Sequence, residues 1–175
     1  FAHFSAVAVE TGLPVLLYNI QGRSAINLET PTLLALAEIP NIVGVKEASG
    51  NMGQICEVCA AVPEGFRVYS GDDGITLPIL AAGGHGVVSV AGHIVGAEMK
   101  AMLDAFPMRF ADALRIHQSL LPTFKALFKW PSPVPVKYAL SVRGFDCASV
   151  RLPLVELTPE EKAELAGVVG VPAWA

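Results

Sequence analysis

A strand followed by a helix, repeated four times at intervals of about 25 residues, constrains this chain most, because such a repeat builds parallel strands joined by helical crossovers. The first strand, Pro14 to Ile20, is too continuously apolar at Val15, Leu16 and Leu17 for a sheet with one wet face. The second leads through Ile42-Val43-Gly44-Val45 to Lys46, the third runs from Phe66 to Ser70, and the fourth from Val87 to Val90. Between them, Thr30 is expected to cap a helix that has Pro31 in its first turn, Asn51 to cap a second, and Gly74 to Ala81 to form a short third. Helices then take over: Ile94 to Phe106, Met108 to Phe128, Val136 to Val142 and Pro159 to Val168, the last announced by Thr158-Pro159-Glu160-Glu161. Four such units fit either a small open sheet or half of a closed eight-stranded barrel.

A hydrophobic content of 53% with 16% charged residues marks a globular chain. The net charge of −4, without a basic run, lacks the electrostatic footprint of a nucleic-acid binder. Mean hydropathy is +0.51, and Gly74 to Ala97 holds no Asp, Glu, Lys or Arg. Pro78, His85, His93 and repeated glycines interrupt that run, so it reads as buried interior and no membrane partner is expected. Three cysteines give no disulfide framework, and without an apolar signal core at the start the expected location is the cytoplasm. Cys56 and Cys59 form a C-x-x-C pair inside a helical pattern with no second pair to complete a zinc site, and no metal site is expected.

Chemistry points to Lys46. Strand alternation puts Ile42, Gly44 and Lys46 on one face and Val43, Val45 and Glu47 on the other. An ammonium on an apolar strand loses hydration, which favours the neutral amine that attacks a carbonyl to form a Schiff base. Gly44, one pleat below, is expected to leave space beside it. Ligands of parallel α/β sheets gather at the C-terminal strand ends, where Tyr18, Lys46 and Gly71 fall. Tyr18 ends the strand expected beside that of Lys46, so its phenol can relay a proton there. Each residue also has a plain structural reading: a strand-end lysine reaching solvent, and a core tyrosine with a satisfied hydroxyl.

The motifs Tyr18-Asn19 with Arg23-Ser24, Gly44-Val45-Lys46-Glu47-Ala48-Ser49-Gly50, Ser70-Gly71-Asp72-Asp73 and Gly83-Gly84-His85-Gly86-Val87-Val88-Ser89 resemble, in order and spacing, the dihydrodipicolinate synthase family. Pro133-Val134-Pro135-Val136-Lys137 and Arg151-Leu152-Pro153 continue the resemblance. It implies a fold: α/β, the C-terminal half of a (β/α)8 barrel, strands 5–8, over residues 1–106, followed by a helical region over 107–175. It also implies roles. Lys46 matches the lysine that condenses with pyruvate, Tyr18 the relay tyrosine, and Arg23 the arginine that receives the carboxylate of aspartate semialdehyde. Gly71 and Val88 match positions whose backbone lines the pyruvate pocket, with Val88 where isoleucine is usual. The implied cofactor is none beyond the covalent imine at Lys46. The implied setting is lysine and diaminopimelate biosynthesis, in a homotetramer built as a dimer of dimers.

Two departures accompany the resemblance. Gln21 stands where the family commonly has proline, next to the Arg23 loop. The Gly-Thr-Thr-Gly-Glu loop and a second relay tyrosine are missing, so the chain is expected to be part of a longer parent that carries the activity. The alternatives are a related class I aldolase, of the N-acetylneuraminate lyase or sugar-acid type, or a non-catalytic assembly subunit. His85, in a Gly-rich turn before a strand, is expected at the stabilising end of the sheet, away from the site.

Overall fold

The computed structural model describes residues 1–170, so residues 171–175 of the expected helical region lie outside it. The chain divides into two compact units, the first ending at Val88 and the second beginning at Ser89.

The first unit starts with α1 (Ala2–Thr11), which Gly12 ends in the left-handed conformation that glycine adopts without strain. There follow β1 (Val15–Asn19), a single helical turn α2 (Gln21–Ser24), α3 (Thr30–Ala37), β2 (Ile42–Glu47), α4 (Met52–Ala61), β3 (Arg67–Ser70), α5 (Thr76–Ala81) and the two-residue strand β4 (Gly86–Val87). Asn51 caps α4 as expected, accepting a hydrogen bond from the Gln54 N–H. Thr30 does not cap α3: Glu29 holds the cap position, and the Thr30 hydroxyl reaches Glu57 instead.

All strand pairs are parallel, in the order β1-β2-β3-β4. The expected C-terminal half barrel, strands 5–8 with a helical extension, is corrected here. What the described residues form is an open four-stranded parallel sheet with helices against one face. A strand–helix repeat dictates parallel neighbours but carries no signal of how many strands complete a sheet, nor of where in a longer series the repeat lies.

The covered face buries Leu17, Val45 and Val68 against Ala8 of α1, Leu33 and Leu36 of α3 and Val58 of α4. Ile42 joins this core, contrary to simple alternation. Val15 of β1 pairs with Ile42, but Leu16 pairs with Gly44, so Val43 is an extra residue. The bulge reverses the facing of everything before it. Ile42 therefore points to the helices while Gly44 and Lys46 keep to the opposite face, and Val43 is left exposed.

On the open face stand Leu16 and Tyr18 of β1, both exposed, with Lys46 of β2 and Tyr69 of β3 half-buried. Gly44 has a different reason from the one expected. A Cβ there would collide with the backbone carbonyl oxygen of Arg67 and lie 3.0 Å from Leu16 Cδ1, so the glycine serves the close approach of neighbouring strands rather than a vacancy beside the lysine.

The second unit holds α6 (Gly92–Ala105), α7 (Phe110–Leu127), α8 (Val134–Val142) and α9 (Pro159–Val169). α9 begins with the complete capping box expected at Thr158 and Glu161. α8 starts two residues before the expectation, because Pro135 falls in its first turn, where the missing N–H costs no helical bond. No described helix is long and apolar enough to cross a membrane.

If Gly44 is required by the strand approach, Gly44→Ala should destabilise the chain by about 1–3 kcal/mol through overpacking. Urea unfolding reads this directly, and an unchanged midpoint would contradict the steric assignment.

Candidate functional site

The β1–β2 register sets the geometry. Tyr18 pairs with Lys46 and Asn19 with Glu47, so the first two side chains share the open face and the next two the covered one. Lys46 Nζ lies over the face of the Tyr18 ring, 4.2 Å from its centroid. Such a contact is worth about 0.5–1 kcal/mol where water still reaches it, enough to bias the lysine rotamer. No hydrogen bond among the described residues engages the Tyr18 hydroxyl. Tyr18 is 43% exposed, so the plain reading of a core tyrosine with a satisfied hydroxyl does not hold. The enclosure expected of Lys46 is partial.

Gly71 and Val88 complete the same rim. Gly71 follows β3, and its N–H donates to the Glu47 carbonyl at 2.7 Å. A Cβ on Gly71 would lie 2.8 Å from Ala48 Cβ and 3.0 Å from both Cγ and Cε of Lys46. Only a glycine lets the lysine stem run past this point. Val88 follows β4 and donates its N–H to the Ser70 carbonyl at 2.8 Å. Neither residue therefore offers a free N–H group to the open rim.

Arg23 sits in α2, immediately after β1, and is exposed. Gln21, in place of the usual proline, opens that helical turn, which closes on Ala25 at a φ of 59°. The structure thus brings Tyr18, Lys46, Gly71 and Val88 to the C-terminal ends of successive strands, with Arg23 in the segment that leaves the first.

Two features escaped the sequence reading. Tyr69 pairs with Lys46 from the other side, on β3, so the lysine stands between two tyrosine-bearing strands. Its position one residue before the strand end was the available signal. The second is a buried polar group beneath the site. Glu47 is fully buried and Asn19 is 1% exposed. Asn19 Nδ2 donates to both carboxylate oxygens of Glu47, at 3.1 and 3.3 Å, and the Ser49 N–H donates to Glu47 Oε1 at 2.7 Å.

His85 lies at the opposite end, as expected. Its N–H donates to the Val68 carbonyl at 2.7 Å, while its Nδ1 accepts from the Val68 N–H at 3.2 Å. The cysteines are free thiols. Burial, helped by the nearby Cys56 and Glu47, pushes the Cys59 thiol above its ordinary range. Among the described residues no group of three or more His, Cys, Asp and Glu could hold a metal ion.

A parallel α/β sheet with a lysine and a tyrosine in register on its C-terminal rim defines a class of protein whose ligands meet strand ends. The family model for the dihydrodipicolinate synthetase family matches residues 1–170, and the chain belongs to that family. The 4-hydroxy-tetrahydrodipicolinate synthase of Bacillus velezensis is 54% identical over 170 residues, covering 97% of this chain and 59% of the relative. That of Bacillus subtilis is 52% identical over 171 residues, covering the same shares. Among solved structures, dihydrodipicolinate synthase DapA-2 of Bacillus anthracis superposes with a TM-score of 0.93 at 46% identity, covering 97% of this chain and 58% of that one. The chain therefore spans under two thirds of the length of the relatives it matches, and these matches do not set it as the C-terminal half of a barrel.

With its thiolate disfavoured, Cys59 should react with iodoacetamide at pH 8 more slowly than a free small-molecule thiol. Peptide mapping of the alkylated protein measures this, and a faster rate would reopen a reactive role for the C-x-x-C pair.

Proposed function

We propose that this chain carries the imine-forming part of a lyase that condenses pyruvate with aspartate 4-semialdehyde to 4-hydroxy-tetrahydrodipicolinate, a step of lysine and diaminopimelate biosynthesis. The observation that carries the reading is Lys46 held over Tyr18 in strand register on an open rim. The family membership and the names of the relatives support the substrate pair.

The chemistry follows from the groups in place. The neutral amine of Lys46 adds to the C2 carbonyl of pyruvate, and loss of water gives the imine, with Tyr18 passing the protons that this exchange requires. The imine nitrogen, once protonated, draws electrons from the methyl carbon, which loses a proton and becomes an enamine. The enamine carbon then attacks the aldehyde carbon of the semialdehyde, forming the new carbon–carbon bond, restoring the imine and leaving an alkoxide that takes up the proton the methyl carbon lost. Attack of the semialdehyde's amino group on the imine carbon closes the ring and frees the Lys46 amine. No separate cofactor is needed, because the lysine nitrogen is itself the electron sink. Lys46 Nζ faces the ring rather than the hydroxyl, so proton transfer to the phenol passes through a substrate or water atom.

Arg23 receives the semialdehyde carboxylate, for which a planar two-pronged cation is suited. Gly71 and Val88 line the pyruvate pocket without free N–H groups, since these are already engaged. Gly71 has a second duty in leaving room for the lysine stem.

Incubation with pyruvate and borohydride should add one reduced pyruvyl group, mapping to Lys46. Lys46→Ala should abolish the adduct, and Tyr18→Phe should slow its formation by about 10²-fold or more, the usual contribution of a positioned proton carrier. An adduct on Lys137 or none at all would refute the assignment.

A further inference from the structure

We propose that Glu47 is a positioning residue which, acting through Asn19, fixes the Arg23 segment relative to the strand that carries Lys46. The inference rests on the proposed function for what is positioned, but not for the clamp itself.

Both side-chain oxygens of Glu47 accept from Asn19 Nδ2, at 3.1 and 3.3 Å, so the Asn19 amide turns its nitrogen toward Glu47. That choice leaves Asn19 Oδ1 facing the other way, where it accepts the Leu28 N–H at 2.9 Å. Asn19 Nδ2 also donates to Asn27 Oδ1 at 3.0 Å. Asn19 precedes the Arg23 segment and Asn27 and Leu28 follow it, so one side chain ties both ends of the intervening stretch.

The order propagates further. Asn27 Nδ2 donates to Gln54 Oε1 at 2.8 Å, and Gln54 Nε2 donates to the Leu28 carbonyl at 2.9 Å, which anchors the same corner to α4. The amides are thus held between two fixed partners, the Glu47 side chain at one end and the Leu28 backbone at the other. Because Asn19 follows Tyr18 and Glu47 follows Lys46 in paired register, the clamp lies directly behind the proposed site. Burial strengthens each bond and makes a mismatch costly.

Glu47→Gln keeps the shape but sets an N–H2 group against either Asn19 Nδ2 or the Ser49 N–H. A second variant, Asn19→Ala, cuts the clamp from the other side while leaving the Ser49 N–H on Glu47. Amide hydrogen exchange and kinetics on the full chain test the idea. Glu47→Gln should raise exchange at Leu28, Ser49 or both by about tenfold, the equivalent of one lost buried bond, while Val45 and Val68 stay protected. Pyruvate trapping at Lys46 should change by less than about threefold, whereas half-saturation by aspartate semialdehyde should weaken about tenfold through a loosened Arg23 segment. Asn19→Ala should raise exchange at Leu28 by about tenfold and weaken semialdehyde half-saturation to a similar extent, with Ser49 still protected.

Wild-type exchange at Leu28 and Ser49 in Glu47→Gln, parental exchange at Leu28 in Asn19→Ala, or an unchanged semialdehyde half-saturation would each overturn the proposal. If Glu47→Gln unfolds the chain, Asn19→Ala decides on the same readouts. If the parent chain traps no pyruvate, the proposed function fails at that step, while the exchange pattern still decides whether the clamp exists.

Discussion

The pairing of β1 with β2 is the constraint on which the rest depends. Its register, set by the extra residue at Val43, determines which side chains meet the helices and which stand free. Shifted by one residue, Asn19 and Glu47 would face outward and Tyr18 and Lys46 would be pressed into the helical core, an ammonium among leucines. The bulge and Gly44 act together. The first brings Ile42 into the core with Val45 and Val68, and the second lets β3 approach closely enough to pair Lys46 with Tyr69.

This arrangement separates two demands on one strand end. For the proposed function the open face needs a lysine able to reach a carbonyl compound, and the covered face needs rigidity. A fully buried carboxylate is an expensive way to supply rigidity, because its desolvation must be offset by hydrogen bonds with good geometry. Glu47 receives them from Asn19 and Ser49. An apolar residue in its place would remove that cost, but Asn19 would then be held only from the Leu28 side and not to the strand that carries Lys46.

Much of this was legible in the sequence, and the reasons are local. The strand–helix repeat and the Asn51 and Thr158 caps depend on residues within a few positions of one another, and the structure shows them. What escaped reading depends on partners far along the chain. Alternation alone put Ile42 beside Lys46, since a bulge is defined by the neighbouring strand. Gly44 looked like a vacancy because the Arg67 carbonyl that excludes a side chain comes from β3. Thr30 had the right chemistry for a cap, yet the helix takes it as its first residue. The half-barrel expectation came from the family resemblance, and the strand–helix repeat offered no check on it, because periodicity reports how strands connect and not where a sheet stops.

The site residues illustrate the same limit at higher resolution. Tyr18, Lys46 and Gly71 could be placed on one rim from strand ends alone, but their mutual fit could not. The contact of Nζ with the Tyr18 ring and the clearance that Gly71 gives the lysine stem are properties of three adjacent strands at once. Glu47 was visible only as the residue facing away from Lys46. Its significance comes from Asn19, 28 positions earlier, and from the Arg23 segment that Asn19 closes. A buried acid one residue from a candidate nucleophile, on the opposite face, therefore bears on the proposed chemistry through the amide it holds rather than through contact with a substrate.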